Sequence, residues 1–169
     1  MHKLMLAALA ATVFTTSSAF AACDTIDSAT IKLSACVEQA AWLAQPVGDN
    51  GQEFLYFSPD QRVAFTVITE KEPFTPADFR SAVLINGRNA NGGQDPTVVS
   101  ERVENVQDKP WNVIEYIVGG PGEELQFQNF YYSQPGFGSV QVVFWSLPGD
   151  ATIAAYQAGR VLSSVSYGN

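Results

Sequence analysis

Between residues 53 and 70 the chain reads EFLYFS, then PDQ, then RVAFTVITE. In the last run apolar and polar positions alternate. Val63, Phe65 and Val67 fall on one side, and Arg62, Ala64, Thr66 and Ile68 on the other. A period of two marks a strand, and the short polar break makes the two runs a hairpin. The period then changes. TPADFRSAVLING sets Phe79, Ala82, Val83 and Asn86 three and four residues apart, which predicts a helix. Thr75 is placed to cap the amide of Asp78, Pro76 suits the first turn, and Gly87 is placed to end the helix.

After a polar loop at residues 86–96 come four runs rich in Val, Ile, Phe, Tyr and Trp: TVVSERVENV, WNVIEYIV, ELQFQNFYY and SVQVVFWSL. Their separators, QDKP, GGPGE and SQPGFG, are hairpin-sized, so the runs form an antiparallel meander. A helical period returns behind Asp150, an N-cap residue, with Ala151, Ala154, Ala158, Val161, Leu162 and Val165 in one stripe. Upstream, TIKLSACVE alternates like a strand, whereas the following QAAWLA can extend into a helix. The economical packing is a single α+β domain. It has a twisted antiparallel sheet of about six strands, a helix after the first hairpin and a C-terminal helix packed on it.

This element order, from EFLYFSPDQRVAFTVITE through the meander to the last helix, resembles that of the Mog1/PsbP-like group of small exported proteins over residues 53–166. The resemblance implies an accessory or binding role beside a larger partner and brings no catalytic motif with it. The segment around Trp42 lies outside it.

Residues 1–21 predict a cleaved secretory signal: basic His2 and Lys3, the apolar run LMLAALAATVF, and Ala19-Phe20-Ala21 as the cleavage site. The apolar run is shorter than the roughly 20 residues a bilayer span needs. Residues 22–52 then form an N-terminal segment and residues 53–169 the core of one domain, in the periplasm. Cys23 has three readings. Ala22-Cys23 loosely fits a lipobox, but Phe20 stands where such boxes usually carry Leu. Cys36 is the only other cysteine, and an exported chain with two cysteines usually joins them, so the Cys23–Cys36 disulfide is the preferred reading. Two unpaired thiols complete the set.

Cleavage changes the chemistry. His2 is the only histidine, and 9 Lys+Arg less Lys3 leaves 8 against 17 Asp+Glu, a net charge near −9. Without imidazole there is no base for Ser-His-Asp or Cys-His nucleophiles, and two cysteines alone are poor zinc ligands. A polyanion such as nucleic acid is repelled. The pairs Glu123–Glu124 and Glu70–Glu72 read as exposed acids rather than a glycosidase dyad. The 87–98 loop matches an EF-hand at Asn89, Asn91 and Gly92 but lacks both essential carboxylates, leaving only an irregular site around Asp95 open. GGPGEE joins strands and carries two acids, so it cradles no phosphate. No cofactor or metal is expected.

What remains is an aromatic concentration. Phe130 and Tyr132 face opposite to Phe127 and Tyr131, and Trp145 opposite to Phe144. Phe130, Tyr132, Phe137 and Trp145 are the candidate binding patch. The expected function is that of a non-enzymatic periplasmic binding or accessory protein beside a larger envelope partner, basic by charge complementarity. One alternative is an acidic inhibitor of a basic secreted enzyme such as lysozyme. A second is a histidine-free hydrolase working through carboxylates.

Overall fold

A computed structural model describes residues 22–48 and 51–168; the signal expected at residues 1–21 lies outside the described residues. The hairpin is present as β4 (Gln52–Phe57) and β5 (Val63–Glu70), followed by α1 (Pro76–Ala90). The meander is β6 (Thr97–Val106), β7 (Lys109–Val118), β8 (Leu125–Gln134) and β9 (Gly138–Ser146), and α2 spans Ala151–Leu162. Three strands precede the hairpin, namely β1 (Cys23–Asp27), β2 (Leu33–Glu38) and β3 (Leu43–Ala44). A short β10 (Ser166–Tyr167) follows α2.

The α+β reading holds, but the sheet is larger than expected. Seven strands run in the order β3-β4-β5-β9-β8-β7-β6, every pair antiparallel, and β1-β2-β10 form a second, three-stranded sheet. The first helix is therefore preceded by five strands rather than two. Residues 39–41 form a turn, which resolves the ambiguous segment as strand, turn and strand. β5 and β9 pair Phe65 with Phe144 and Val67 with Val142, joining hairpin to meander.

The two faces of the large sheet bury different cores. On one face lie α2 and the small sheet, covering Phe65, Phe144, Val113 and Trp111, all 1% exposed or less. Trp42 anchors the N-terminal segment there, edge-on to Phe65 at 4.6 Å. On the other face α1 sets Phe79 and Val83 against Ile114, Tyr116 and Tyr131. Pleating dictates this split, since neighbours along a strand point to opposite sides.

Two local expectations change. Thr75 does cap α1, accepting the Asp78 amide at 3.2 Å, but the helix continues through Gly87 to a cap at Asn91. Gly87 is there for close approach: a Cβ would lie 3.0 Å from both Pro96 Cγ and Tyr116 Cζ. Asn86, expected on the inner face, is exposed, and Gly87 takes its place. Asp150 precedes α2 without capping it by its side chain; its carboxylate accepts instead from the Arg62 guanidinium. Of the expected stripe, Ala154, Ala158, Val161, Leu162 and Val165 are buried, and Ala151 at the start of α2 is half-buried.

The disulfide joins Cys23 to Cys36 across the β1–β2 pair. The same small sheet is held to the large one by Glu53. Its carboxylate accepts from the Ser28 hydroxyl at 2.8 Å and from the Ala29 amide. Among the described residues no helix is long and apolar enough to cross a membrane.

Candidate functional site

The four candidate aromatic residues do not form one patch. Phe130 and Tyr132 do face α2, opposite to Phe127 and Tyr131, as alternation requires. β8 is an interior strand, however, and Phe130 is 3% exposed and packs edge-on to Phe144 at 6.1 Å. It is a core residue with one flank in a cleft described below. Trp145 lies on the other face of the sheet. It is half-buried, between Phe57 and Phe127, each 6.1 Å away between ring centroids. Tyr132 and Phe137 alone stay together, 5.6 Å apart.

Those two rings form a site with a residue that periodicity does not mark. Tyr167 of β10 closes a triangle with them, at 6.1 Å from Tyr132 and 5.6 Å from Phe137. It is carried there because β10 pairs with β2, Tyr167 opposite Leu33. A two-residue strand leaves no pattern in the sequence; the isolated Tyr near the end of the chain is the only signal. The triangle walls a pocket of about 470 Å³, with Lys32 and Lys109 at its edges and the β8–β9 turn, Gln134 to Gly136, along one side.

The rings are fixed by polar contacts. Fully buried Trp111 donates its Nε1 hydrogen to the Tyr167 hydroxyl at 2.7 Å, and the Tyr132 hydroxyl donates to Gln134 Oε1. Burial pushes the Tyr167 phenol up to about 12, and pushes Tyr132 up as well, so both remain neutral donors and acceptors at neutral pH. The Lys109 ammonium stands 5.8 Å from the Tyr167 ring centre, within cation–π range. Aromatic walls with the Lys109 ammonium beside them suit an apolar group that carries a carboxylate or another anion. In a chain this acidic, that local chemistry departs from the overall charge.

A second concavity lies across the β6–β7 turn. Gln107 and Asp108 make that turn with φ of +48° and +63°. Lys109 serves the aromatic pocket, and Gln107 and Asp108 line the other hollow. This cleft, about 440 Å³, separates α2 from β6–β8. Arg102 on its rim donates to Glu104 at 2.6 Å and to Glu115 at 2.5 Å.

The other candidates from the sequence are surface groups. Glu70, Glu72 and Glu123 are exposed, and half-buried Glu124 accepts from the Gly122 amide at 3.1 Å. Asp95 pairs with Arg88, while Asn91 accepts the Gly119 amide at 2.8 Å, so the 87–98 loop serves to cap α1 and tie it to β7.

The seven-stranded antiparallel sheet lies between α1 and an α2-plus-sheet layer, and solved structures of similar fold show this to be a PsbP-like architecture. The sequence matches no family model and no curated protein. Among solved structures, the chain is similar to the cyanobacterial PsbP (CyanoP) of Synechocystis sp. PCC 6803, with a TM-score of 0.62 and 12% identity over 89% of this chain and 95% of that one. It is also similar to a protein of Bacteroides thetaiotaomicron, with a TM-score of 0.56 and 14% identity. There it covers 82% of its own length and spans only 46% of the other chain. Identities this low carry the fold alone.

Proposed function

We propose that this chain is a non-enzymatic binding module of the bacterial periplasm, attached to a larger envelope partner through the aromatic pocket beside the β6–β7 turn. The observation that carries this reading is the ring triangle Tyr132–Phe137–Tyr167, pinned by Trp111 and rimmed by Lys32 and Lys109. The pocket arises where four stretches of the chain meet, and rigid aromatic anchors ringed by polar groups are the usual centre of a protein interface. The PsbP-like fold supports an accessory role by likeness of architecture.

The experiment is capture of the tagged protein's partner from its own envelope extract, with and without Phe137→Ala combined with Lys109→Glu. Retention of one large assembly by the parent, and its loss at least tenfold in the double variant with an unchanged circular dichroism spectrum, supports the reading. Equal capture by both proteins refutes the pocket as the contact. Stoichiometric inhibition of a lysozyme with no assembly captured points to the inhibitor alternative instead.

A further inference from the structure

The α2 cleft has a chemistry of its own, and it is opposite in sign to that of the aromatic pocket. Its lining is mixed: Val106 and Phe130 give apolar surface on the sheet side, Ala155, Gly159 and Leu162 do so on α2, and polar side chains complete it. The small helix residues leave the space, and a Cβ at Gly159 would meet nothing within 4 Å. Gln128 lines the cleft and is 3% exposed. It donates through Nε2 to the Ala151 carbonyl at 3.3 Å, while its Oε1 has no hydrogen-bond partner among the described residues. A buried acceptor left over in this way calls for a donor. Of the charged groups in the lining, Glu104 and Asp108 outnumber Arg102, whose guanidinium is held by Glu104 and by Glu115 beyond the lining.

We infer that this cleft receives a lysine or arginine side chain of the protein partner. The inference rests on the binding-module reading. The apolar surface accepts the aliphatic stem, as long basic side chains bury their methylenes while keeping the charge wet. The carboxylates hold the ammonium or guanidinium, and an N–H reaches toward Gln128. An anionic group would meet excess negative charge, and a group without a donor would leave the acceptor unmatched. Because Gln107 and Asp108 line the cleft and the next residue, Lys109, lines the aromatic pocket, a partner seated on the pocket presents neighbouring residues to the cleft.

The test uses the protein from residue 22 onward, labelled with ¹⁵N, and three small probes: the N-acetyl methylamides of lysine, norleucine and glutamate. The expected result is saturable shifts at the Gln128 side-chain amide, Asp108 and Gly159 with the lysine probe, weakening as salt rises. Affinity for norleucine, which has a similar stem without the ammonium, should be at least about threefold lower, as for a partly exposed ion pair. Gly159→Leu fills the cleft in a helical position where leucine is the better helix former, so the melting temperature should hold or rise while the shifts disappear. Asp108→Asn, with asparagine suited to the left-handed turn, should weaken lysine binding and flatten its salt dependence. Norleucine binding as tightly as lysine, shifts that survive Gly159→Leu, or no saturable shift at all would each overturn the inference. Envelope capture retained in Gly159→Leu would leave the binding module standing and remove the basic side chain from this cleft alone.

Discussion

At the scale of single residues, Gly138 shows how tightly this chain is drawn. It opens β9 at φ +104°, and a Cβ there would lie 2.4 Å from the Glu70 carbonyl oxygen and 2.8 Å from Ile31 Cγ2. Both the dihedral and the contact oppose any side chain. Gly138→Ala should therefore cost about 2–4 kcal/mol, read as a lower urea midpoint at unchanged slope. Phe65→Ala makes the complementary test. Phe65 is fully buried among Trp42, Tyr56 and Phe144, so deletion of its ring should cost about 3–5 kcal/mol. Some residue roles were readable beforehand, such as Thr75 as an N-cap, because the cap and its amide are three residues apart. Others were not. Asp150 looks like a cap in any local window, yet it is claimed by Arg62, 88 positions earlier.

Elements with a strong period were legible. β4, β5 and the four meander strands show alternation or dense β-branched and aromatic content, and their connections are too short for anything but hairpins. The short β3 and β10 were not, because two residues carry no period and each exists only where a partner strand is already in place. The candidate site divides along the same line. Tyr132 and Phe137 belong to a legible hairpin, whereas Tyr167 and Lys32 arrive through the small sheet. That small sheet is also the part closed by the disulfide. In the chain-entropy model a loop of this size, its cysteines 13 positions apart, contributes about 3 kcal/mol. Reduction should lower the melting temperature while the far-ultraviolet spectrum at low temperature stays that of the sheet. Immediate loss of the sheet signal on reduction would show that β1 and β2 are needed by the whole fold.

For the whole molecule, the tyrosines set the alkaline limit. Burial raises Tyr56, Tyr116, Tyr131 and Tyr132 above their ordinary range and takes Tyr167 to about 12. The native chain thus keeps phenolic protons that the unfolded chain gives up near pH 10. The unfolded state then binds fewer protons, so stability falls with rising pH. The contribution is complete below about pH 10 and declines from there through about 12 for Tyr167. Urea midpoints measured between pH 8 and 12 should trace that decline, and Tyr167→Phe should make it shallower. An identical slope in the variant would mean that the Trp111–Tyr167 contact opens before the phenol ionises.

β1 and β10 flank the same strand, β2, so the first and last described strands are next-but-one neighbours in a single small sheet. Gly168 lines the ring-walled pocket, so an affinity handle or fluorophore attached beyond it is expected to compete with the proposed partner. Cutting the chain instead in the exposed Gly120–Gly122 turn, and bridging the old ends with a short flexible linker, would move both new ends to the far side of the sheet. Such a rearranged protein offers a labelled form whose contact surface stays open.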